Sequence, residues 1–324
     1  MIYVALPDEK RYSLPFYLAM EEYIAREFPV QDYFFMWQVK PTVIFGRNQL
    51  LENEVDVAFC KENGIEFYRR KSGGGCVYAD EGNIMLSYIT PDTNVNFTFN
   101  RYMLMVEHAL QKIGIVARTT GRNDIVIDGK KVSGNAFYRL SKCSIVHGTM
   151  LYDTDVDSMV NATTPSAAKL KSKGVESVRQ RVTTVKEYTS LSIEEFKKSL
   201  RDSLCDDTLV LGADDIKAIE EISKEYYSHE FIYGNNPACT FTNTKRIDGV
   251  GEFKLDIEVK DNVIRKANMS GDFFIIGDVD AMLLTKLKGV QYTREAIEKV
   301  VSAVDCSNFI MNLKKEELIN LFFN

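Results

Sequence analysis

Several features of exported or membrane proteins are missing from this 324-residue chain. It has only six cysteines, which are scattered and form no Cys-x-x-Cys pair, so we expect reduced thiols and not a disulfide framework. Its first 20 residues lack the basic-then-apolar pattern of a signal peptide, and no run approaches about 18 apolar residues. These absences predict a cytoplasmic protein without a membrane span.

A strong excess of positive charge is also absent. The formal net charge is −6, which argues against general nucleic-acid binding and requires any basic docking surface to be local. The composition, 45% hydrophobic and 27% charged, is that of a globular protein. The length suggests one large domain and one smaller domain, with the boundary near residue 241. We expect a monomer.

The order of predicted elements favours an α+β fold with a mixed, largely antiparallel sheet. Hydrophobic spacing and capping residues predict helices at residues 13–28, 101–113, 155–161, 193–204, 278–287, 294–303 and 315–323. Short apolar runs predict strands at residues 33–38, 42–45, 66–70, 124–127, 131–137 and 144–152. A turn cluster at residues 234–237 precedes a hairpin-like segment at 239–264, which begins a small α+β domain.

Three consecutive glycines, Gly73–Gly75, lie between a predicted strand and an extended run. Glycine lets a backbone approach a ligand closely, and the neighbouring Arg70 and Ser72 could offer a cation and a hydroxyl to a carboxylate or phosphate. No Gly-Lys-Ser/Thr sequence follows, so this is not a Walker loop. A flexible hairpin turn is the alternative for a bare Gly-Gly-Gly.

The dipeptide Asp128-Gly129 predicts a two-residue hairpin turn. That turn would pair residues 127 with 130, 126 with 131, 125 with 132 and 124 with 133. Asp124, Lys131 and Ser133 would then share the face opposite the core, whereas Lys130 would lie beside the turn. The alternative is a cross-strand salt bridge that contributes little.

The segment 168–186 is basic within an acidic protein. It has six lysines and arginines and one glutamate, a net charge of 6 − 1 = +5. A solvated surface face is the common explanation of such a run, but its contrast with the rest of the chain favours contact with an anion.

Together these stretches resemble the lipoate–protein ligase family. The matching motifs are Arg-x-Ser-Gly-Gly-Gly-x-Val-aromatic…Asp-x-Gly-Asn at residues 70–83, Gly-Arg-Asn-Asp-Ile…Gly-Lys-Lys-x-Ser-Gly at 121–134, His-Gly-Thr at 147–149, and Lys-Gly-Val-x-Ser-Val-Arg-x-Arg-Val at 173–182. Weaker matches occur at residues 18–22, 46–49 and 271–274. The motifs follow the family's order along nearly the whole chain.

The resemblance implies an ATP-dependent ligase with a biotin/lipoate ligase-like catalytic domain at residues 1–241 and an accessory domain at 242–324. Lys131 and Asp124 would be catalytic, and Asp124 would also hold Mg²⁺. Lipoate and ATP would be bound by Arg70, Ser72, Gly73, Gly74, Gly75, Cys76, Val77, Tyr78, Asn83, Asn123, Lys131, Ser133, Gly134, Ala136, Gly148 and Thr149. The adenylate-binding loop would comprise Lys173, Gly174, Val175, Ser177, Val178, Arg179, Arg181 and Val182. The acceptor proteins of such an enzyme would be E2 lipoyl domains or a glycine-cleavage H-type protein.

Two alternatives remain open on the sequence alone. A lipoyl or octanoyl transferase of the same fold would use a cysteine thioester without ATP, with Cys76 or Cys143 as the candidate. A non-catalytic lipoate- or nucleotide-binding regulator is the other, which the presence of Lys131, Asn123 and Asp124 disfavours. Ala79 stands where many relatives have histidine.

Overall fold

Three β-sheets organise the chain. The computed structural model describes residues 1–92, 94–120, 123–140, 142–163, 178–233 and 241–323. The main sheet contains β1 (Ile2–Ala5), β2 (Tyr33–Trp37), β6 (Asn83–Thr90), β7 (Ala117–Thr119), β8 (Asp124–Ile127), β9 (Lys130–Arg139), β10 (Ser144–Leu151) and β11 (Asp207–Val210). A second sheet contains β3 (Thr42–Phe45), β4 (Glu66–Arg69) and β5 (Val77–Ala79), and a third contains β12 (Phe241–Ile247), β13 (Gly251–Lys260) and β14 (Val263–Gly271).

The main sheet has the order β11-β1-β2-β6-β10-β9-β8-β7. Its two pairs at the β11 end are parallel, and its other five pairs are antiparallel. Every residue of the central strands β6 and β10 is buried, as expected for strands covered on both faces. The predicted mixed, largely antiparallel sheet is confirmed.

Helices cover both faces of this sheet and complete two apolar cores. The helices before the C-terminal domain are α1 (Leu14–Glu27), α2 (Leu51–Glu54), α3 (Val57–Glu62), α4 (Val95–Lys112), α5 (Val156–Ala162), α6 (Val178–Arg181), α7 (Ile193–Leu204), α8 (Ala213–Tyr227) and α9 (His229–Tyr233). One core joins α4 and α7 to the sheet, and the other joins α1 and α8 to it. Helix α1 also buries two acids, Glu21 and Glu22, and Glu21 joins a hydrogen-bond chain at the site.

The C-terminal domain is a three-stranded antiparallel meander packed against short helices. Those helices are a π-helical turn at Asp280–Leu284 that continues as α10 (Thr285–Leu287), followed by α11 (Arg294–Ser302) and α12 (Lys315–Phe322). A third apolar core, distinct from the two of the main sheet, holds this domain together. The small α+β C-terminal domain expected from the sequence is therefore present.

Most predicted elements occur within a few residues of their expected bounds. Helix α4 starts six residues earlier than predicted because Asn94 caps it by accepting the backbone N–H of Phe97. The expected C-terminal hairpin is a three-stranded meander, and the start of that prediction, residues 239–240, lies outside the described residues. The predictions omitted the strands β1, β5, β7 and β11, the amphipathic helix α8 and the short helices α2, α3, α6 and α9.

Candidate active site

The glycine loop connects β4 to β5, and Arg70 is its internal support. The buried Arg70 side chain donates Nη2 hydrogen bonds to the carbonyls of Gly73 (2.7 Å) and Gly75 (2.8 Å), and an Nη1 bond to that of Ile44 (3.0 Å). Burial lowers the pKa of Arg70 to about 10, so the guanidinium stays charged at neutral pH. Arg70 also borders the cavity of the site, which is described below, but most of its N–H donors form hydrogen bonds that stabilise the loop.

Two glycines of the loop have no room for a side chain because the C-terminal domain packs on them. A Cβ atom on Gly73 would lie 2.4 Å from the carbonyl oxygen of Phe273. Gly74 has a φ of +85°, and its N–H donates to the same oxygen at 3.0 Å. The glycines thus permit a close approach of the protein's own backbone at Phe273, and their predicted approach to a ligand stays a prediction.

A buried hydrogen-bond chain runs behind the loop. Arg70 Nε donates to Ser72 Oγ (2.9 Å), and Ser72 Oγ lies 2.6 Å from His147 Nε2. On the other side of the imidazole ring, Nδ1 of His147 lies 2.9 Å from Glu21 Oε2. Glu21 also accepts from Ser87 at 2.6 Å. The chain fixes the positions of Ser72 and of the His147 ring.

The predicted turn forms at Asp128-Gly129, with φ angles of +49° and +78°. Lys130 beside it is exposed, whereas the Nζ atom of Lys131 lies 2.9 Å from Oδ1 of the buried Asp124. A Cβ atom on Gly134 would come within 2.2 Å of that ammonium nitrogen, so a larger residue at this position would displace the Lys131 side chain. The structure therefore brings the carboxylate and the ammonium together.

The predicted strand register is wrong beyond the second pair. A β-bulge follows Val126↔Lys131, so that Ile125 pairs with Ser133 and Asp124 with Gly134. Ser133 therefore does not join the Lys131–Asp124 pair. Its hydroxyl is buried and hydrogen-bonded to Asn135 at 3.0 Å.

The described end of the basic segment reaches the same carboxylate. Arg181 Nη2 donates to Asp124 Oδ2 at 2.9 Å, and Thr183 N–H donates to the Lys131 carbonyl at 3.0 Å. Arg179, in contrast, forms an ion pair with the exposed Asp157. The predicted loop residues Lys173, Gly174, Val175 and Ser177 lie outside the described residues.

One cavity unites most of the predicted lipoate- and ATP-binding residues. The residues that were predicted for the site and that line this cavity are Arg70, Gly74, Gly75, Cys76, Val77, Asn123, Lys131, Gly134, Ala136, Gly148, Thr149 and Arg181. The lining residues that were not predicted as binding residues are Leu18, Trp37, Ile44, Met85, Asn135, His147, Arg246, Asp272 and Phe274. An apolar side at Leu18, Trp37 and Met85 thus adjoins a cationic side at Lys131 and Arg181.

Some predicted binding residues do not line this cavity. Strand alternation sends Val77 into it and Tyr78 into a separate apolar core. Val178 and Val182 pack in that same core. The amide of Asn83 points to the Tyr78 carbonyl at 3.5 Å, which places it behind the loop.

The described residues include the carboxylate that the sequence predicted for a metal ion, and they contain no group of three or more potential ligands. That carboxylate, Asp124, is buried and contacts Lys131 and Arg181. Magnesium commonly takes one or two protein carboxylates and completes its shell with phosphates and water. A single protein carboxylate at this position is compatible with a magnesium ion that arrives with a nucleotide. No described helix combines the length and apolarity needed to cross a membrane.

Two family models match the chain in the order of its two domains. The model "Lipoyl protein ligase A/B catalytic domain" matches residues 14–205, and "Bacterial lipoate protein ligase C-terminus" matches residues 236–322. The chain is 36% identical over 318 residues to lipoate-protein ligase LplJ of Bacillus subtilis, covering 94% of this chain and 96% of that one. It belongs to the lipoate–protein ligase family. Lipoate–protein ligase 1 of Staphylococcus aureus is also 36% identical, over 94% of this chain and 95% of its own.

Solved structures of ligases share the fold. LipL1 of Plasmodium falciparum in complex with lipoate has a TM-score of 0.79 at 19% identity and covers 99% of this chain and 97% of its own. A bipartite lipoate protein ligase from Thermoplasma acidophilum, studied with its E2 lipoyl domain, has a TM-score of 0.64 at 27% identity, with coverages of 74% and 98%. A lipoate-protein ligase A bound with ATP has a TM-score of 0.62 at 25% identity, with coverages of 71% and 97%.

Proposed function

We propose that this ligase activates free lipoate with Mg-ATP as lipoyl-AMP and transfers the lipoyl group to a lysine of an acceptor protein. The observation that carries the proposal is Lys131, an ammonium held at 2.9 Å by Asp124 on the wall of a cavity whose other end is apolar. An acid with an aliphatic chain fits such a cavity, with its chain beside Trp37 and Met85 and its carboxylate toward Lys131.

In the first step, a carboxylate oxygen of lipoate attacks the α-phosphorus of ATP, and the bond from that phosphorus to the β-bridging oxygen breaks. Two anions must approach each other, so a nearby ammonium lowers the barrier. Asp124 keeps Lys131 on the cavity wall, and Arg181 adds a second cation on the same carboxylate. Magnesium, held at Asp124, would supply further charge neutralisation on the phosphates.

In the second step, the acceptor lysine nitrogen attacks the acyl carbon, AMP leaves, and the amine loses a proton. The mixed anhydride must be kept from water until then. Val182 bridges to Lys131 in parallel register, which supports a role for residues 173–182 as a covering adenylate-binding loop. We propose residues 1–241 as the catalytic domain and 242–324 as the accessory domain.

The acceptor is proposed by class. The T. acidophilum ligase structure was studied with an E2 lipoyl domain, which supports E2 lipoyl domains as acceptors, and a glycine-cleavage H-type protein is the second class. None of the five described cysteines is in a disulfide, which supports our proposal of a reducing, cytoplasmic location. We also propose that the enzyme is a monomer.

Incubation with lipoate, Mg-ATP and a panel of lipoyl-domain acceptors, followed by intact mass measurement, tests the proposal. We expect one acceptor to gain one lipoyl mass, only when ATP and lipoate are both present. Mass gain without ATP when a lipoyl thioester is supplied as the donor, with release of the donor's thiol, would point to the transferase.

The cysteine-dependent alternative predicts a different mutant response. Cys143 donates to the Ala25 carbonyl at 3.5 Å within an apolar core, and burial raises the pKa of its thiol, which disfavours the nucleophilic thiolate. Cys76 does line the cavity. We expect Cys76→Ala and Cys143→Ala each to keep ligase activity within about threefold of wild type, since adenylate chemistry needs no thiol. A trapped thioester, or a loss above about 100-fold, would favour the transferase.

A further inference from the structure

The C-terminal domain supplies part of the cavity wall, including a cation. Arg246 on β12, Asp272 after β14 and Phe274 all border the cavity. Phe274 is anchored by stacking on Phe137 of the main sheet, with ring centroids 5.7 Å apart. The Arg246 side chain is therefore held at the site and is only 13% exposed.

Arg246 differs from the other cations that line the cavity in how its donors are used. Its nearest carboxylate contacts are Nη1 to Glu252 Oε2 at 3.7 Å and Nη1 to Asp272 Oδ2 at 3.8 Å, both longer than a hydrogen bond. Its Nε and Nη1 atoms are shielded from solvent and have no hydrogen-bond partner within the described part of the chain. Burying a guanidinium whose N–H groups lack acceptors costs folding free energy, and an anion that accepts those hydrogen bonds removes much of this cost.

The other three cations already have short contacts. Arg70 donates to loop carbonyls, while Lys131 and Arg181 each contact Asp124 at 2.9 Å. Four cations line the cavity (Arg70, Lys131, Arg181, Arg246), and three carboxylates accompany them, Asp272 on the wall and Asp124 and Glu252 beside it. The formal sum is 4 − 3 = +1, and this positive charge suits an anionic ligand.

We propose that Arg246 binds the β- and γ-phosphates of ATP and stabilises pyrophosphate as it leaves. This inference rests on the proposed adenylation. Lys131 and Arg181, on the opposite domain, would serve the carboxylate and the α-phosphate, which leaves the terminal phosphates for a cation of the C-terminal wall. When the α-phosphorus–oxygen bond breaks, its electron pair stays on pyrophosphate, and a planar guanidinium can donate two parallel hydrogen bonds to that charge. The C-terminal domain would thus contribute directly to the activation step.

Two half-reactions separate this role from a structural one. Lipoate-dependent exchange of pyrophosphate into ATP needs the pyrophosphate site, whereas transfer from chemically prepared lipoyl-AMP to an acceptor does not. We expect Arg246→Ala to slow exchange about 100-fold and to raise the KM for pyrophosphate, as for other groups that stabilise developing charge. Transfer from lipoyl-AMP should stay within about twofold of wild type, and Arg246→Lys should recover part of the exchange.

Arg265→Ala is the matched control, because Arg265 lies on β14 of the same domain and forms an exposed pair with Asp261. It should leave both half-reactions unchanged. The proposal would be overturned if Arg246→Ala catalysed exchange as fast as the control variant. Equal losses of rate in both half-reactions would also overturn it, as would a slower exchange with an unchanged KM for pyrophosphate. If Arg246→Ala melts early, the same comparison is made with Arg246→Lys. Absence of exchange in the wild-type enzyme would refute the adenylation proposal itself and this inference with it.

Discussion

The glycine-loop wall and the hairpin wall of the cavity use their cations in different ways. On the loop, Arg70 donates to the backbone carbonyls of Ile44, Gly73 and Gly75. These acceptors are fixed in the fold, so the Arg70 donors are already used before a ligand binds. On the hairpin, Lys131 contacts a carboxylate, and an ammonium on a flexible stem can turn from one anion to another. Both residues looked like anion ligands in the sequence; we propose that the first chiefly maintains the fold and that the second acts on the substrate.

The largest effect should come from removing the fold-maintaining cation. Arg70→Ala would leave buried carbonyls without donors, so we expect the free energy of unfolding to fall by about 3 kcal/mol or more. Urea denaturation measures this, with Arg118→Ala as a control, since Arg118 is exposed and only loosely paired with Glu107. If Arg70→Ala were as stable as the wild type and had lost only its affinity for lipoate, Arg70 would be a ligand-binding residue and not a residue that maintains the fold.

The hairpin wall should show the opposite response, a loss of catalysis without loss of stability. Lys131→Ala should slow adenylate formation by about 10²- to 10³-fold, because its charge would lie between a carboxylate and a phosphate in a weakly screened site. Lys130→Ala should be nearly silent, since Lys130 is exposed beside the turn. The two variants are compared at matched thermal stability. Equal losses, or the larger loss at Lys130, would contradict the role of Lys131.

A smaller effect should separate two arginines of helix α6. Arg181 contacts the buried Asp124, whereas Arg179 pairs with an exposed aspartate. We expect Arg181→Ala to reduce exchange about tenfold, the value of one charged hydrogen bond, and Arg179→Ala to have less than a twofold effect. Measurements at low and moderate salt check the electrostatic origin. Identical exchange rates for the two variants would show that this segment is a solvated surface without a role in the reaction.

Local patterns in the sequence were sufficient for much of the fold. Helix α7 has the predicted bounds, residues 193–204, because a capping box at Ser192 and Glu195 marks its start. Strands β1 and β11 were missed because they are short and pair with each other across about 200 residues, which local periodicity does not reveal. Helix α8 was missed although its sequence is amphipathic, so that signal was available.

The site shows a similar division. The choice of Lys131 over Lys130 followed from the turn type and one strand pair, Val126↔Lys131, that lies before the bulge. The pairs beyond it were wrong because a bulge adds a residue to one strand without a sequence signal as plain as a turn. Arg246 and Trp37 were missed because tertiary packing alone brings them to the cavity.

Lipoate-dependent exchange of radiolabelled pyrophosphate into ATP tests the central claim most directly. An acyl-adenylate forms reversibly before any acceptor binds, so the folded wild-type enzyme with Mg-ATP should incorporate label when lipoate or octanoate is added and not without either acid. Lys131→Ala should abolish most of that signal. Folded enzyme that shows no exchange with either acid, yet still modifies an acceptor, would contradict the adenylate account.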